Sequence, residues 1–392
     1  MWLYLGIYLL FITGSFFVIN RSNRKDITDF KECSTVRRLR QNERIFLFLL
    51  CFMLLCISVF RYGLGSDYIL YQRNYEGTAG YWELTDNRLL YALLNQLFHL
   101  FHLPFQSFIG FFAIYSLLLF QIIVKRYSWE QFLSYAMLVG QSYYSFSLSG
   151  FRQFAAIISL LFAVHMYYKD GKLSWNNWKW LIFLGIAVGV HRSSLFGVVL
   201  IVLLIKWNPK PKTVFILNIC GIFTLIATRI FLGRINSLIA FIVGRMGAYS
   251  GYLNYANSAE QYYRLFSQSG TALFNVLLLL PSLFFCYEIF KDNNIGSFKC
   301  DNFNILMLKM YYVWQLFLCF NMNSEMINRL VMYISISSVF TYPTILRFVH
   351  NRYGKKCLWI AWLFIILSIG FMFLRALSKN IYDIIPYVSI FN

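Results

Sequence analysis

IFLFLLCFMLLCISVFRYGLGSDYILYQ, residues 45–72, is an unbroken apolar run followed at once by an arginine, two glycines, an aspartate and three tyrosines. The first half reads as a helix crossing a bilayer, since only a helix satisfies every backbone group inside lipid. The second half then emerges at a membrane face. There the chain carries charge, permissive backbone and aromatic rings.

The apolar pattern recurs from end to end. Stretches at 2–20, 45–60, 106–124, 131–147, 153–168, 178–190, 193–207, 213–231, 272–290, 304–322, 329–346 and 357–375 each read as a crossing. The chain is 59% hydrophobic and 13% charged, about half the charge of a soluble chain. The expected fold is an all-α polytopic membrane protein of about twelve transmembrane helices, with 1–392 as a single integral membrane domain. The first run has no small-residue cleavage site and reads as a retained span. The expected surroundings are a lipid bilayer. No nucleic-acid partner is expected.

Basic residues orient the chain. The segment 21–44 carries eight Arg or Lys residues and is assigned to the cytoplasm. The stretches 167–180, 206–212, 291–299 and 347–356 read the same way. They agree only if the number of crossings between 61 and 167 is odd. NRLLYALLNQLFHLFHLP (87–104) is therefore read as an external amphipathic or re-entrant helix. Its Asn95, His99 and His102 form a polar stripe at i, i+4 and i+7. Residues 61–104 then form one external loop, 232–270 a second, and both termini lie outside. Thirteen of fifteen lysines fall inside, while eleven arginines fall outside. A rigid, always-charged guanidinium fork suits bidentate capture of phosphate better than a lysine does.

No cysteine lies in a clearly external loop, so no disulfide framework is expected, and neither a metal nor a cofactor is expected.

Five groups could carry chemistry, all on the expected outer face. In RYGLGSDYILYQ, Arg61 can meet an anion and Asp67 can act as a base. Tyr68 and Tyr71 offer flat faces to sugar. An interfacial aromatic belt would explain the tyrosines but not Gly-x-Gly-x-Asp. Arg152 and Gln153 open a span, where helix N–H groups favour anions. His191, Arg192, Ser193 and Ser194 interrupt an apolar stretch, and His191 is a candidate proton carrier. Arg245 and Arg264 lie among tyrosines in a glycine-rich external segment, read as a carbohydrate-facing lid. Glu325 and Arg329 stand at i, i+4, where a simple ion pair is the plainer reading.

The order of these motifs resembles the EpsG-like family of Wzy polysaccharide polymerases. Arg61, Gly63, Gly65, Asp67, Tyr68 and Tyr71 match that family's Arg-aromatic-Gly-x-Gly-x-Asp-Tyr-x-x-Tyr pattern after an early span. Arg152 and Gln153 match its Arg-Gln. His191, Ser193 and Ser194 match its His and Ser. Arg329 and Tyr333 match its late Arg and Tyr, and IIPYVSIF fits its external ending. Arg192 stands where the pattern has an apolar or small residue.

The resemblance implies a metal-independent glycosyltransferase of GT-C-like fold in the bacterial cytoplasmic (inner) membrane, with its site facing the periplasm or exterior. Donor and acceptor would be undecaprenyl-pyrophosphate-linked glycans for O-antigen, capsule or exopolysaccharide. A chain-length regulator protein is a candidate partner. Arg61, Arg152, Arg192 and Arg329 would bind pyrophosphate, and Asp67 or His191 would be the base. Tyr68, Tyr71, Gln153, Ser193, Arg245, Arg264 and Glu325 would bind glycan. The alternatives are a lipid-linked oligosaccharide flippase, a membrane glycan acyltransferase using His191 and Arg192, and a glycan ligase.

Overall fold

A computed structural model describes residues 1–21, 39–77, 89–168, 178–224, 271–295, 298, 300–319 and 325–391. No strand is present among them, apart from an isolated bridge between Arg61 and Ser389. Five helical stretches are long and apolar enough to cross a membrane among the described residues: Trp2–Asn20, Gln41–Phe60, Phe105–Tyr127, Phe151–Tyr168 and Arg329–Ser378. Shorter apolar helices are Gln131–Gly140, Lys179–Val190, Ser194–Lys206 and Pro211–Thr224. The chain is thus an all-helical membrane protein.

The helices are α1 Trp2–Asn20, α2 Gln41–Phe60, α3 Tyr68–Glu76, α4 Leu89–Leu100, α5 Phe105–Tyr127, α6 Gln131–Gly140, α7 Tyr143–Ser149, α8 Phe151–Tyr168, α9 Lys179–Val190, α10 Ser194–Lys206, α11 Pro211–Thr224, α12 Thr271–Ile295, α13 Asn302–Cys319, α14 Glu325–Ser335 and α15 Ser338–Ser378. They pack as two compact units. One contains 1–202, 300–307 and 336–392, the other 203–299 and 308–335.

In the first unit α8 is the central helix, buried along nearly its whole length and packed on α5, α7 and α9. A helix enclosed this way is apolar on every side. α8 and α9 run antiparallel, with Phe162 against Phe183 at 4.5 Å and Tyr167 against Trp180 at 5.6 Å between ring centroids. The start of α8 and the end of α9 therefore share one end of the unit. α2 buries Leu47, Leu50, Leu54 and Ile57 and exposes Phe48, Leu49 and Phe52. That division suits one face on protein and one on lipid.

α6 lies between α1 and α15. The buried Glu130 carboxylate caps it, accepting from the N–H groups of Phe132 at 3.0 Å and Leu133 at 2.6 Å. Free N–H groups at a helix start compensate a buried negative charge. α15 breaks at Gly354, where φ is 82°, a backbone state that favours glycine. The break turns the chain back on itself. Ser338 donates to the side chain of Gln141 while Ile369 packs beside Gly140, so both halves pass the same level of α6. The second half lies along α1, with Trp362 donating to Ser15 at 3.0 Å and Tyr8 to the Ile366 carbonyl at 3.0 Å.

α4 has twelve residues, about 18 Å of helix against ~30 Å of hydrocarbon. Of the expected stripe, Asn95 and His99 turn toward α3, whereas His102 lies beyond the helix end at φ 52° and is exposed. Asn95 donates to the Asn74 carbonyl at 3.3 Å, and His99 hydrogen-bonds the Tyr75 carbonyl while stacking on the Tyr75 ring.

In the second unit the Tyr312 hydroxyl lies 2.7 Å from Asn218 Oδ1 and 3.1 Å from the Val214 carbonyl, joining α13 to α11. Tyr311 donates to Ser282 on α12 at 2.7 Å. The buried Lys309 donates to the Leu204 carbonyl at 3.1 Å in the last turn of α10, where the helix dipole favours a cation.

Candidate functional site

Three stretches distant in sequence meet at one end of the first unit. The loop 61–67 leaves α2 and is pressed against the turn between α7 and α8. Ser66 Oγ and Ser149 Oγ are 2.6 Å apart. Gly65 holds φ at 103°, and a Cβ there would fall 2.5 Å from the Leu148 carbonyl oxygen. Only glycine combines that dihedral with that approach.

α3 follows, with Asp67 at its N-cap position and half-exposed. Tyr68 and Tyr71, expected to offer rings to sugar, are instead buried, at 3% and 4% exposure. Tyr68 packs edge-on against Phe105, and Tyr71 lies 4.3 Å from the Phe151 ring. Their spacing puts both on the inner face of α3. Both rings brace the loop from beneath.

Arg152, near the start of α8, lies over two aromatic rings. Its guanidinium carbon is 4.6 Å from the Tyr71 ring centroid and 4.4 Å from that of Tyr91 on α4. Stacking on aromatic faces offsets the cost of burying the charge and leaves the in-plane N–H groups to point elsewhere. Gln153 beside it is buried too.

Val190, the last residue of α9, belongs to the same buried cluster as Tyr71, Tyr91 and Phe151. The turn that follows therefore lies at this end. His191 is the C-cap of α9 and half-exposed, Arg192 is exposed, and Ser193 is half-exposed. The Ser194 N–H closes the turn on the His191 carbonyl at 3.0 Å.

Arg61 is the most enclosed of the charges at this end, at 2% exposure. Among the described residues its guanidinium has no carboxylate partner, and its Nε has no hydrogen-bond acceptor. Burial pulls its pKa down to about 10, opposed by the nearby hydroxyls of Tyr144, Tyr68, Tyr4 and Tyr71. The side chain stays cationic at neutral pH. It lines a small cavity with Ser58, Ile109, Phe112, Ser116 and Phe151. The buried Ser116 Oγ also lacks a partner. An unpaired buried cation above an apolar wall creates a strongly positive potential.

A last segment joins this end. Residues 379–391 follow α15 and run beside the loop. Tyr62 N–H donates to the Val388 carbonyl, Ile390 N–H to that of Phe60, and Gly65 N–H to that of Asp383, each at 3.0 Å.

The EpsG family model matches residues 44–389. The chain belongs to the EpsG family. No curated protein and no solved structure gives a significant match. The EpsG match spans every segment just described, from α2 to the residues after α15, and EpsG membership points to a polysaccharide polymerase-like role.

The structure thus brings together Arg61, Asp67, Tyr68, Tyr71, Arg152, Gln153, His191, Arg192 and Ser193. Arg329 belongs to the second unit, where it is exposed. Arg245, Arg264 and the side chain of Glu325 lie outside the described residues. Sequence reasoning missed Tyr91, Tyr4, Tyr144 and Tyr387. Each is one tyrosine among 28, and no local pattern marks which of them faces a guanidinium.

Proposed function

We propose that this EpsG family protein polymerises undecaprenyl-pyrophosphate-linked oligosaccharide repeat units at the outer face of the cytoplasmic membrane, in a GT-C-like fold of about twelve crossings. The observation that carries this reading is the convergence of Arg61, Asp67, Arg152, His191 and Arg192 at one end of one helical unit, within a family of polysaccharide polymerase-like role.

In this reading an acceptor sugar hydroxyl attacks the anomeric carbon of the donor glycan. The bond from that carbon to the pyrophosphate oxygen breaks, and the lipid pyrophosphate leaves. Asp67 or His191, both half-exposed, takes the hydroxyl proton. Negative charge grows on the departing pyrophosphate. The exposed Arg192 contacts it. The buried Arg152 and Arg61 add positive potential from beneath without having to reorganise. Tyrosines hold those two cations in place rather than contacting glycan.

The test is glycan length on a gel in a deletion strain complemented with wild type, Asp67→Asn or His191→Ala. Wild type restores a ladder, and at least one variant collapses it to a single repeat with protein still in the membrane. A ladder that survives gene deletion would rule out polymerisation. Single units trapped on the cytoplasmic side would instead indicate a flippase.

A further inference from the structure

The segment after α15 hydrogen-bonds the backbone on either side of Arg61, at Phe60 and Tyr62. The guanidinium has no anionic partner among the described residues, so the residue is held through its backbone. The bridge to Ser389 is flanked by the Tyr62–Val388 and Ile390–Phe60 bonds. The Arg61 carbonyl accepts from Gln106 at 3.1 Å. Four residues on, Gly65 N–H reaches the Asp383 carbonyl.

Residues 379–391 are themselves fixed at both ends. Asn380 adopts φ 47°, and its side chain makes three backbone bonds. Oδ1 accepts from the N–H groups of Ile384 at 2.9 Å and Ile385 at 3.0 Å, and Nδ2 donates to the Ile385 carbonyl at 2.9 Å. Further along, Tyr4 donates to the Ile384 carbonyl at 3.2 Å, Tyr387 donates to that of Ile57 at 3.3 Å, and the Phe391 ring lies 5.3 Å from Phe60. These contacts fall on the start of α1 and the end of α2, and the Tyr382 ring also lies 5.9 Å from that of Phe146 on α7. The packing of α5, α8 and α9, and of α1, α6 and α15, does not pass through the segment.

We propose that residues 379–391 are a strap that positions Arg61 for the reaction, with Asn380 the positioning residue that sets the strap's turn. This rests on the polymerase reading for its functional consequence, but not for its structural one. Asn380→Gly keeps the left-handed backbone and removes all three side-chain bonds. Asn380→Asp keeps both acceptor bonds and the tolerance of that backbone.

The full chain in its membrane is treated with phenylglyoxal, which modifies accessible arginines, and Arg61 is followed by peptide mass spectrometry. Ladder length, membrane amount and melting in detergent are measured in parallel. Arg61 should be protected in wild type and Asn380→Asp. It should be modified at least tenfold faster in Asn380→Gly and in a chain lacking 381–391. Those two variants should lose the ladder at wild-type protein amounts, with Asn380→Asp retaining it.

An Arg61 that stays protected in the shortened chain overturns the proposal. So does a full ladder from that chain, or ladder loss that merely tracks falling protein amount in all three variants. If wild type itself restores no ladder, the polymerase reading falls, and the protection of Arg61 still decides whether the strap holds it.

Discussion

Gly65 and Leu148 stand so close that a Cβ on the glycine would lie 2.5 Å from the leucine carbonyl oxygen and 2.8 Å from the Ser149 Cα. Both obstacles are backbone, which yields far less easily than a side chain. Gly63 shares a positive φ, 63°, but a Cβ there meets open space. Gly65→Ala should cost about 2–4 kcal/mol, through strain and overpacking together. Gly63→Ala should cost ~1–2 kcal/mol, through φ alone. Melting of the two variants in detergent should separate them in that order, and Gly65→Ala should lose function as the loop lifts off α7. Equal melting temperatures would mean the loop does not sit on Leu148.

Arg152 lying over the Tyr71 and Tyr91 rings predicts an asymmetry of substitutions. Lysine keeps the charge but not the plane. Arg152→Lys should therefore lose about 1–2 kcal/mol and most activity. Tyr91→Phe retains the ring and should stay close to wild type. Tyr91→Leu should resemble Arg152→Lys. Matched melting and glycan ladders for the four variants would check this, with Tyr91→Leu behaving like wild type as the contrary result.

The burial of Arg61 without a carboxylate favours function over stability. Its charged form is disfavoured in the fold, so the cost is fully present at neutral pH and begins to lift only as pH rises past about 10. Arg61→Met removes that cost at similar volume. The variant should melt at or above the wild-type temperature while losing polymerisation. A marked drop in melting temperature would mean that Arg61 is structural.

Orientation can be read from two positions near opposite ends of the first unit. Cys357 is exposed just beyond the Gly354 bend, and Tyr62 is exposed in the loop after α2. In an otherwise cysteine-free chain, a membrane-impermeant maleimide should label Tyr62→Cys in spheroplasts. Cys357 should react only after the membrane is opened. The reverse pattern would turn the proposed site to the cytoplasm.

The apolar helices were legible because transfer of a side chain into lipid is a local property. Residues 45–60, 178–190 and 193–207 were expected as crossings; Gln41–Phe60 is long and apolar enough to cross, while Lys179–Val190 and Ser194–Lys206 are shorter apolar helices. Asp67, Arg152 and His191 stood out for a similar reason. A charge or a glycine pair beside an apolar run is visible without knowing its neighbours. The inward turn of Tyr68 and Tyr71 was not visible, since an aromatic residue at a membrane edge suits sugar, lipid and core alike.

The sequence by itself determined an all-helical membrane protein and the stretches from which its site is drawn. Only the tertiary structure decided that Tyr91 stacks on Arg152, that Arg61 is shut in among tyrosines, and that Asn380 ties the far end of the chain to the loop after α2. Those relationships depend on which helices pack together, and a shared apolar surface makes every span an acceptable neighbour for every other. The choice among them rests on shape, on buried polar atoms finding partners, and on one glycine at 65 with no room for a methyl group.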